Sequence, residues 1–310
     1  MDFKLILVII SILFLVSACS VTDRFFNNSA GSSSGKGIVL TIKEAPKQGS
    51  TLTENDNFAV VVDVASYVKS DRTINGRLCI RDSSSGAYGG IPSSQCINVD
   101  LEPPDEAEGK LFALPERIRF PSQGFYYYKD LRQLPVDNQI LLDFYYELLT
   151  ESGAVACIAM PNVENVPSNC KGSQALSVHG QDAPVEVTSI AVTPNTISIN
   201  EVNLKIDITL RKTEEGTLYP PGKALSGGSS PGERIKFAAF ANRQALNCQS
   251  SSSGFVEFRQ DQKEKIIKCT SSLKLQQEFE NLPVEVVLEY GFKKIHEGPQ
   301  FKMKKEEFIA

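Results

Sequence analysis

The chain has 310 residues, 41% of them hydrophobic, which allows a sizeable core and suits two domains of about 100 to 150 residues. Its formal charge is −5 and no basic patch offsets it, so nucleic acid is not a natural partner. Tryptophan is absent and histidine occurs only twice, which leaves little for metal or nucleophile chemistry that depends on histidine.

At the N-terminus, Lys4 supplies a short basic region and Leu5 to Val16 form an apolar run of 12 residues. A spanning helix needs roughly 20 apolar residues to cross ~30 Å of hydrocarbon, so this run has the length of a signal peptide. Leu15-Val16-Ser17-Ala18-Cys19 follows, a branched apolar residue and then small residues before a cysteine. These five residues resemble the lipobox of bacterial and archaeal lipoproteins. The resemblance implies that residues 1–18 are a signal peptide and that the Cys19 thiol carries diacylglycerol. Two acyl chains anchor stably where one is marginal, at ~0.8 kcal/mol per buried methylene. An ordinary secretory signal cut nearby, or an uncleaved anchor, is the plainer alternative. The expectation is a chain lipid-anchored at the cell membrane, facing the extracytoplasmic side.

Residues 19–36 are rich in Ser, Gly and Asn and bury too little apolar surface to fold, so they read as a tether. A flexible chain of that length spans on the order of 20 to 25 Å. The one N-x-S/T sequon of the chain, Asn27-Asn28-Ser29, lies on it.

From residue 37 the pattern is β. Ile38, Leu40 and Ile42 alternate, and Phe58, Val60, Val62 and Val64 alternate with Ala59, Val61 and Asp63, which places Asp63 on the outward face. Glu102 to Glu108 is acidic and Gly222 to Gly232 is rich in Gly, Ser and Pro; both read as long loops. The strand pattern returns at Val202, Leu204, Ile206 and Ile208, with Asp207 in the place of Asp63. LPVDNQILLDFYYELLTESG (134–153) is echoed by LPVEVVLEYGFKKIHEG (282–298), so that Leu142 to Tyr146 aligns with Leu288 to Phe292. The chain reads as a weakly preserved tandem duplication, with domains at 37–182 and 183–310 and a boundary where Gly180 and Pro184 punctuate VHGQDAPVEVTSI. Short strands separated by Gly, Pro and Asn turns, with no helical period surviving a whole window, predict an all-β chain of two sandwiches.

GQDAPVEVTSI between two β domains, after a Cys-bearing hairpin, resembles the tandem immunoglobulin-like surface proteins of archaeal genomes and, more distantly, the adhesion-related sandwich modules of bacterial cell surfaces. That likeness covers most of residues 37–310 and implies fold and surface location only.

Seven cysteines leave six once Cys19 is set aside, in three local couples: Cys79 with Cys96, Cys157 with Cys170, and Cys248 with Cys269. Six cysteines allow about 15 connectivities, so this pairing rests on proximity. No C-x-x-C occurs, which favours extracytoplasmic disulfides over zinc, each closing its loop with on the order of 3 kcal/mol.

No catalytic constellation emerges. His179 falls in the interdomain segment and His296 in a polar hairpin turn, and there is no G-x-S-x-G. Asp105 with Glu106, and Glu214 with Glu215, sit in charged loop-like stretches. Glu54 to Asn57 offers oxygens for Ca²⁺ but reads as an Asx-rich turn, and Ser226 to Ser230 lacks the Lys-Ser/Thr of a phosphate cradle. The expectation is therefore no enzyme, no metal and no cofactor. Phe125-Tyr126-Tyr127-Tyr128 stands apart, because on a strand two of four consecutive aromatics face away from the core. They are the candidate contact surface for a protein or glycan at the cell surface, unless a loop covers them. Two functions fit: a surface binding or structural module, and an accessory scaffold subunit of an envelope assembly such as an appendage, transporter or secretion complex.

Overall fold

The computed structural model describes residues 37–160, 163–178, 180–198, 201–226, 232–249, 254–259 and 261–306. Cys19, the tether with its sequon, and His179 lie outside the described residues. The described chain opens with β1 (Ile38–Glu44), and two short strands, β2 (Thr51–Leu52) and β3 (Asn57–Phe58), lead into β4 (Val60–Ser66). β-Branched residues fill β4, and its alternation sends Val60, Val62 and Val64 into the core. β5 (Ile74–Asp82) pairs with β6 (Gln95–Leu101), and β7 (Asp105–Ala107) with β8 (Lys110–Phe112). β9 (Glu116–Phe120), β10 (Tyr126–Tyr127) and the 24-residue β11 (Val136–Ala159) complete the first half.

The second half runs through β12 (Gln174–Ser177), β13 (Val185–Thr196), β14 (Glu201–Lys212), β15 (Thr217–Tyr219) and β16 (Glu233–Ala241). It continues with β17 (Gln244–Ala245), β18 (Asn247–Cys248), β19 (Phe255–Phe258), β20 (Glu264–Lys274) and the 25-residue β21 (Phe279–Met303). Among the described residues one 3₁₀ turn, Ser168–Cys170, is the sole helical element, so the chain is nearly all β, as its alternating pattern predicts.

β11 and β21 run antiparallel and pair along nearly their whole lengths, from Val136 opposite Met303 to Ala159 opposite Phe279. β5 takes the other edge of β11 over Ile140 to Tyr146, and β16 and β15 take the other edge of β21. The resulting order is β17-β16-β21-β11-β5-β6, beside a three-stranded sheet β1-β4-β9 and a five-stranded sheet β12-β13-β14-β20-β18. Without the short edge strands the same plan occurs twice: β1-β4-β9 with β11, β5 and β6, then β13-β14-β20 with β21, β16 and β17. The duplication in sequence is thus a repeat of topology. Because Tyr146 sits opposite Phe292, Leu142 opposite His296 and Thr150 opposite Leu288, the echoed residues are arranged symmetrically about the Tyr146–Phe292 pair.

The boundary expected at 182/183 separates these repeats but does not divide the chain into two bodies. Lys36–Ala310 clusters as one compact unit, because the two echoed strands pair with each other. Their inward residues, Phe144, Tyr146, Tyr290 and Phe292, are fully buried, with the Tyr146 ring 5.2 Å from Phe144 and 5.6 Å from Phe292. Apolar residues from the three larger sheets join one buried cluster, the arrangement of a β-sandwich.

Three local expectations are corrected. Part of Glu102 to Glu108 is a strand, since Asp105–Ala107 folds back on Lys110–Phe112 around Glu108 and Gly109, both at positive φ. His296 lies inside β21 opposite Leu142 rather than in a turn, because pairing with β11 carries the strand on through Gly298 and Pro299. Asp63 faces away from the core yet is buried, covered by Arg117 (2.8 Å) and Lys43 (3.6 Å). The carboxylate at Asp207 keeps partial exposure.

If the β11–β21 pair couples the halves, Phe292→Ala should remove a buried aromatic worth ~3 to 5 kcal/mol and lower the stability of both repeats together. Hydrogen exchange read on β4 and β14 peptides should show equal losses of protection; loss confined to the second repeat would mean the halves unfold independently.

Candidate functional site

Strand alternation sorts the aromatic tetrapeptide cleanly. Tyr126 and Tyr128 are 6% and 0% exposed, whereas Phe125 and Tyr127 are 61% and 57% exposed, so the outward pair is Phe125 with Tyr127. β10 pairs with β3, setting Tyr126 opposite Phe58 and Tyr127 opposite Asn57, and a bridge from Tyr128 to Gly89 extends the strand by one residue. The inner rings pack on Phe58, whose centroid lies 5.4 Å from Tyr128 and 5.6 Å from Tyr126, and Phe301 lies 6.0 Å from Tyr128. Gly90, at φ +65°, passes so close to the Tyr128 ring that a Cβ would overlap it.

A buried polar network fixes Tyr128 from beneath. Its hydroxyl donates to Asp82 (2.9 Å) and accepts from the Asn138 amide (3.0 Å), which also reaches Asp82 (3.3 Å). Ser84 donates to the other Asp82 oxygen (2.7 Å), and Ser83 donates to the Asn138 carbonyl oxygen (2.7 Å). Burial, then the charge of Asp82, pushes the Tyr128 hydroxyl far above the ordinary phenol value, so it stays a donor. Burial likewise pushes Tyr126 up to about 12.

The outward rings are exposed but not loose. The Arg119 guanidinium stands 5.1 Å over the Phe125 ring and donates to the carbonyls of Pro121 (2.6 Å) and Gly124 (2.7 Å), clamping the turn that precedes the strand. The Tyr127 carbonyl accepts from Gly90 (2.9 Å), and Lys129, exposed and two residues on, donates its backbone N–H to Tyr88 (2.8 Å). Arg119 and Lys129 were not singled out in the sequence. Lys129 was legible as the next outward position of the alternation; Arg119 belongs to another strand and carries no signal of its own.

All six downstream cysteines sit in bonded pairs, Cys79–Cys96, Cys157–Cys170 and Cys248–Cys269. The first and third join residues directly opposite on neighbouring strands, and the second ties the end of β11 to the 3₁₀ turn.

Elsewhere the surface holds open clefts. One of about 570 Å³ is lined by Lys69, Arg72, Glu106 and Leu149, and one of about 690 Å³ by Glu186, Arg211, Lys212, Glu214 and Lys263. His296 lines neither, and Glu106 is 3.9 Å from Lys69. Glu54 accepts from the Leu131 N–H (3.0 Å) and Asp56 from the Thr53 N–H (2.7 Å), which makes Glu54 to Asn57 a capped turn. Among the described residues no group of three or more His, Cys, Asp or Glu is placed to hold a metal, and no helix is long and apolar enough to cross a membrane.

In the larger cleft Glu214 belongs to a buried cluster that joins the repeats. Lys294 donates to it (2.8 Å) and to the Ile38 carbonyl (2.7 Å), and its carboxylate lies over Gly37, where φ is +72° and a Cβ would overlap it. Glu214 Oε1 and the Tyr146 hydroxyl are buried with no hydrogen-bond partner among the described residues. Burial raises the Glu214 pKa, Lys294 opposes the shift and Glu186 adds to it.

No known protein-family profile matches this chain, and no curated protein matches it. Among solved structures, a DUF4466 family protein from Parabacteroides merdae ATCC 43184 aligns over 81% of this chain and 98% of its own at 8% identity, with a TM-score of 0.15. A score that low carries no argument about fold or function.

Two outcomes follow from this geometry. A carboxyl raised in the fold binds its proton more tightly folded than unfolded, so the Glu214 contribution is full below its ordinary value of 4.5 and is lost as pH rises through the folded value. Glu214→Gln should therefore flatten the fall in urea midpoint between about pH 5 and about pH 8, and an unchanged slope would remove Glu214 as its source. Phe125→Ser with Tyr127→Ser should shift stability by no more than ~0.5 kcal/mol, while Tyr128→Ala should cost ~3 to 5 kcal/mol. Calorimetry of the two variants checks the assignment of faces.

Proposed function

We propose that this protein is an extracytoplasmic lipoprotein, anchored through Cys19, that acts as a non-catalytic binding or structural module built from two immunoglobulin-like sandwich repeats joined through β11 and β21. The observation that carries the binding part is the rigid, outward Phe125–Tyr127 pair, since exposed aromatics clamped in place are the usual makings of a contact surface. The three disulfide pairs support an oxidising compartment, and the lipobox-like Leu15 to Cys19 supports the anchor. In this reading the tether at 19–36 holds the body off the membrane.

Cys19→Ser should block maturation and move the protein out of the detergent phase on phase separation. A mature Cys19→Ser chain that still partitions with membranes after a high-salt wash would overturn the anchor. Purification from native membranes with a stoichiometric protein complex would favour the alternative, a scaffold subunit of an envelope assembly.

A further inference from the structure

β11 pairs with β21 along one edge, but β5 covers its other edge only over Ile140 to Tyr146. Before Ile74 the chain turns off, with the Lys69 N–H donating to the Gln181 carbonyl (2.9 Å), so no described strand continues the line of β5. Farther along, the Gln174 side chain takes both backbone groups of Cys157, accepting from its N–H (3.0 Å) and donating to its carbonyl. The backbone of Cys157 therefore points away from β21. Alternate residues of a strand point their backbone groups to the same side, and the β11–β21 register is unbroken from Leu141 to Ala159. Leu149, Glu151, Gly153 and Val155 thus turn N–H and C=O to the open edge, where they have no hydrogen-bond partner among the described residues.

The far end of β21 is closed, since β2 pairs with Lys302 and Met303 and Gly49 donates to the Gln300 carbonyl (2.7 Å). Beside the bare stretch of β11 lies the cleft of about 570 Å³, lined by Leu149 and Glu151 together with Lys69, Arg72, Pro104 and Leu111. On the inward face Thr150 is 1% exposed, and its hydroxyl, like that of Ser152, is buried with no hydrogen-bond partner among the described residues. A row of paired N–H and C=O groups repeating at ~6.8 Å is the pattern of an extended polypeptide backbone. We propose that residues 149–155 of β11 take an extended segment of another protein as an added antiparallel strand, in line with β5. Its inward side chains are hydroxyls that pair with Thr150 and Ser152, and its outward ones are apolar beside Leu149 and Val155 and basic beside the exposed Glu151. A second copy of this chain is too long for the place. Its own β11 would run on past Val155 into Gln174 and the turn at Cys170, which the bond to Cys157 ties down, whereas a short segment can stop. The strand site is separate from the Phe125–Tyr127 pair and does not depend on the anchor.

The probe is the labelled peptide acetyl-Val-Thr-Lys-Thr-Lys-Thr-Val-amide, titrated into the full chain in detergent micelles and read by fluorescence anisotropy. In the antiparallel register its two Lys residues lie opposite Glu151 and Gly153 and aim their N–H groups at β11. N-methylation of both Lys should weaken binding by about tenfold or more, whereas N-methylation of the two outer Thr, whose N–H groups face solvent, should leave it within about twofold. Glu151→Lys, an exposed change, should weaken the unmodified probe several-fold at unchanged thermal stability. Hydrogen exchange at Leu149, Glu151, Gly153 and Val155 should be fast in the free chain and slowed by the probe. No binding of the probe, or equal binding of the two methylated peptides, would overturn the proposal. Protection of the same amides that grows with protein concentration alone would assign the edge to a second copy and overturn it as well.

Discussion

Two long strands that share an edge along their whole length satisfy each other's backbone polar groups and leave only their outer edges to be covered. β11 and β21 stand in that relation from Val136 to Ala159; β5 of the first repeat covers β11 over Ile140 to Tyr146, and β15 and β16 of the second cover β21, with β2 of the first repeat pairing the far end of β21. The largest buried side chains of the centre, Phe144, Tyr146, Tyr290 and Phe292, belong to this pair. The longest strand of each repeat is paired with that of the other, so the two repeats share one sheet and one buried cluster. The Glu214–Lys294–Ile38 contact closes the same seam with charge, at the cost of buried oxygens that find no partner among the described residues.

The aromatic surface depends on that frame at one remove. Phe301, at the far end of β21, packs on Tyr128, and Asn138, at the start of β11, anchors the Tyr128 hydroxyl. What faces solvent at Phe125 and Tyr127 is therefore positioned by residues that face the core. Asp82 is fully buried and takes neutral donors from Ser84, Tyr128 and Asn138, a geometry that leaves little freedom to the ring above it.

Much of this was legible in local pattern. Period-2 alternation located β1, β4 and β14, and it implied that two of the four aromatics at 125–128 face out; only the pairing of β10 with Phe58 and Asn57 decided which two. Cysteine proximity gave the pairs that the fold joins, because each closes between neighbouring strands or from a strand end to the next turn. Long-range partnership was not legible. The echo of Leu142 to Tyr146 in Leu288 to Phe292 marked a duplication, but nothing in either copy says that the copies pair with each other, so the repeats were read as separate domains. His296 was placed in a turn for the same reason: Gly298 and Pro299 look like an ending until a partner strand carries the backbone through them. The buried state of Asp63 needed Arg117, from a strand 54 residues away.

The symmetric pairing about Tyr146 and Phe292 also bears on how such a chain can evolve. Repeats strung as beads can be deleted, added or exchanged between genes, since each carries its own boundary. Here the duplicated unit has fused with its copy along the strand that would otherwise be an edge, and β5 and β16 already occupy the flanks. Loss of one copy would bare the strand of the other, and a third would find no equivalent place to join. The pair has become a single heritable unit, able to drift in its loops but not to change its copy number.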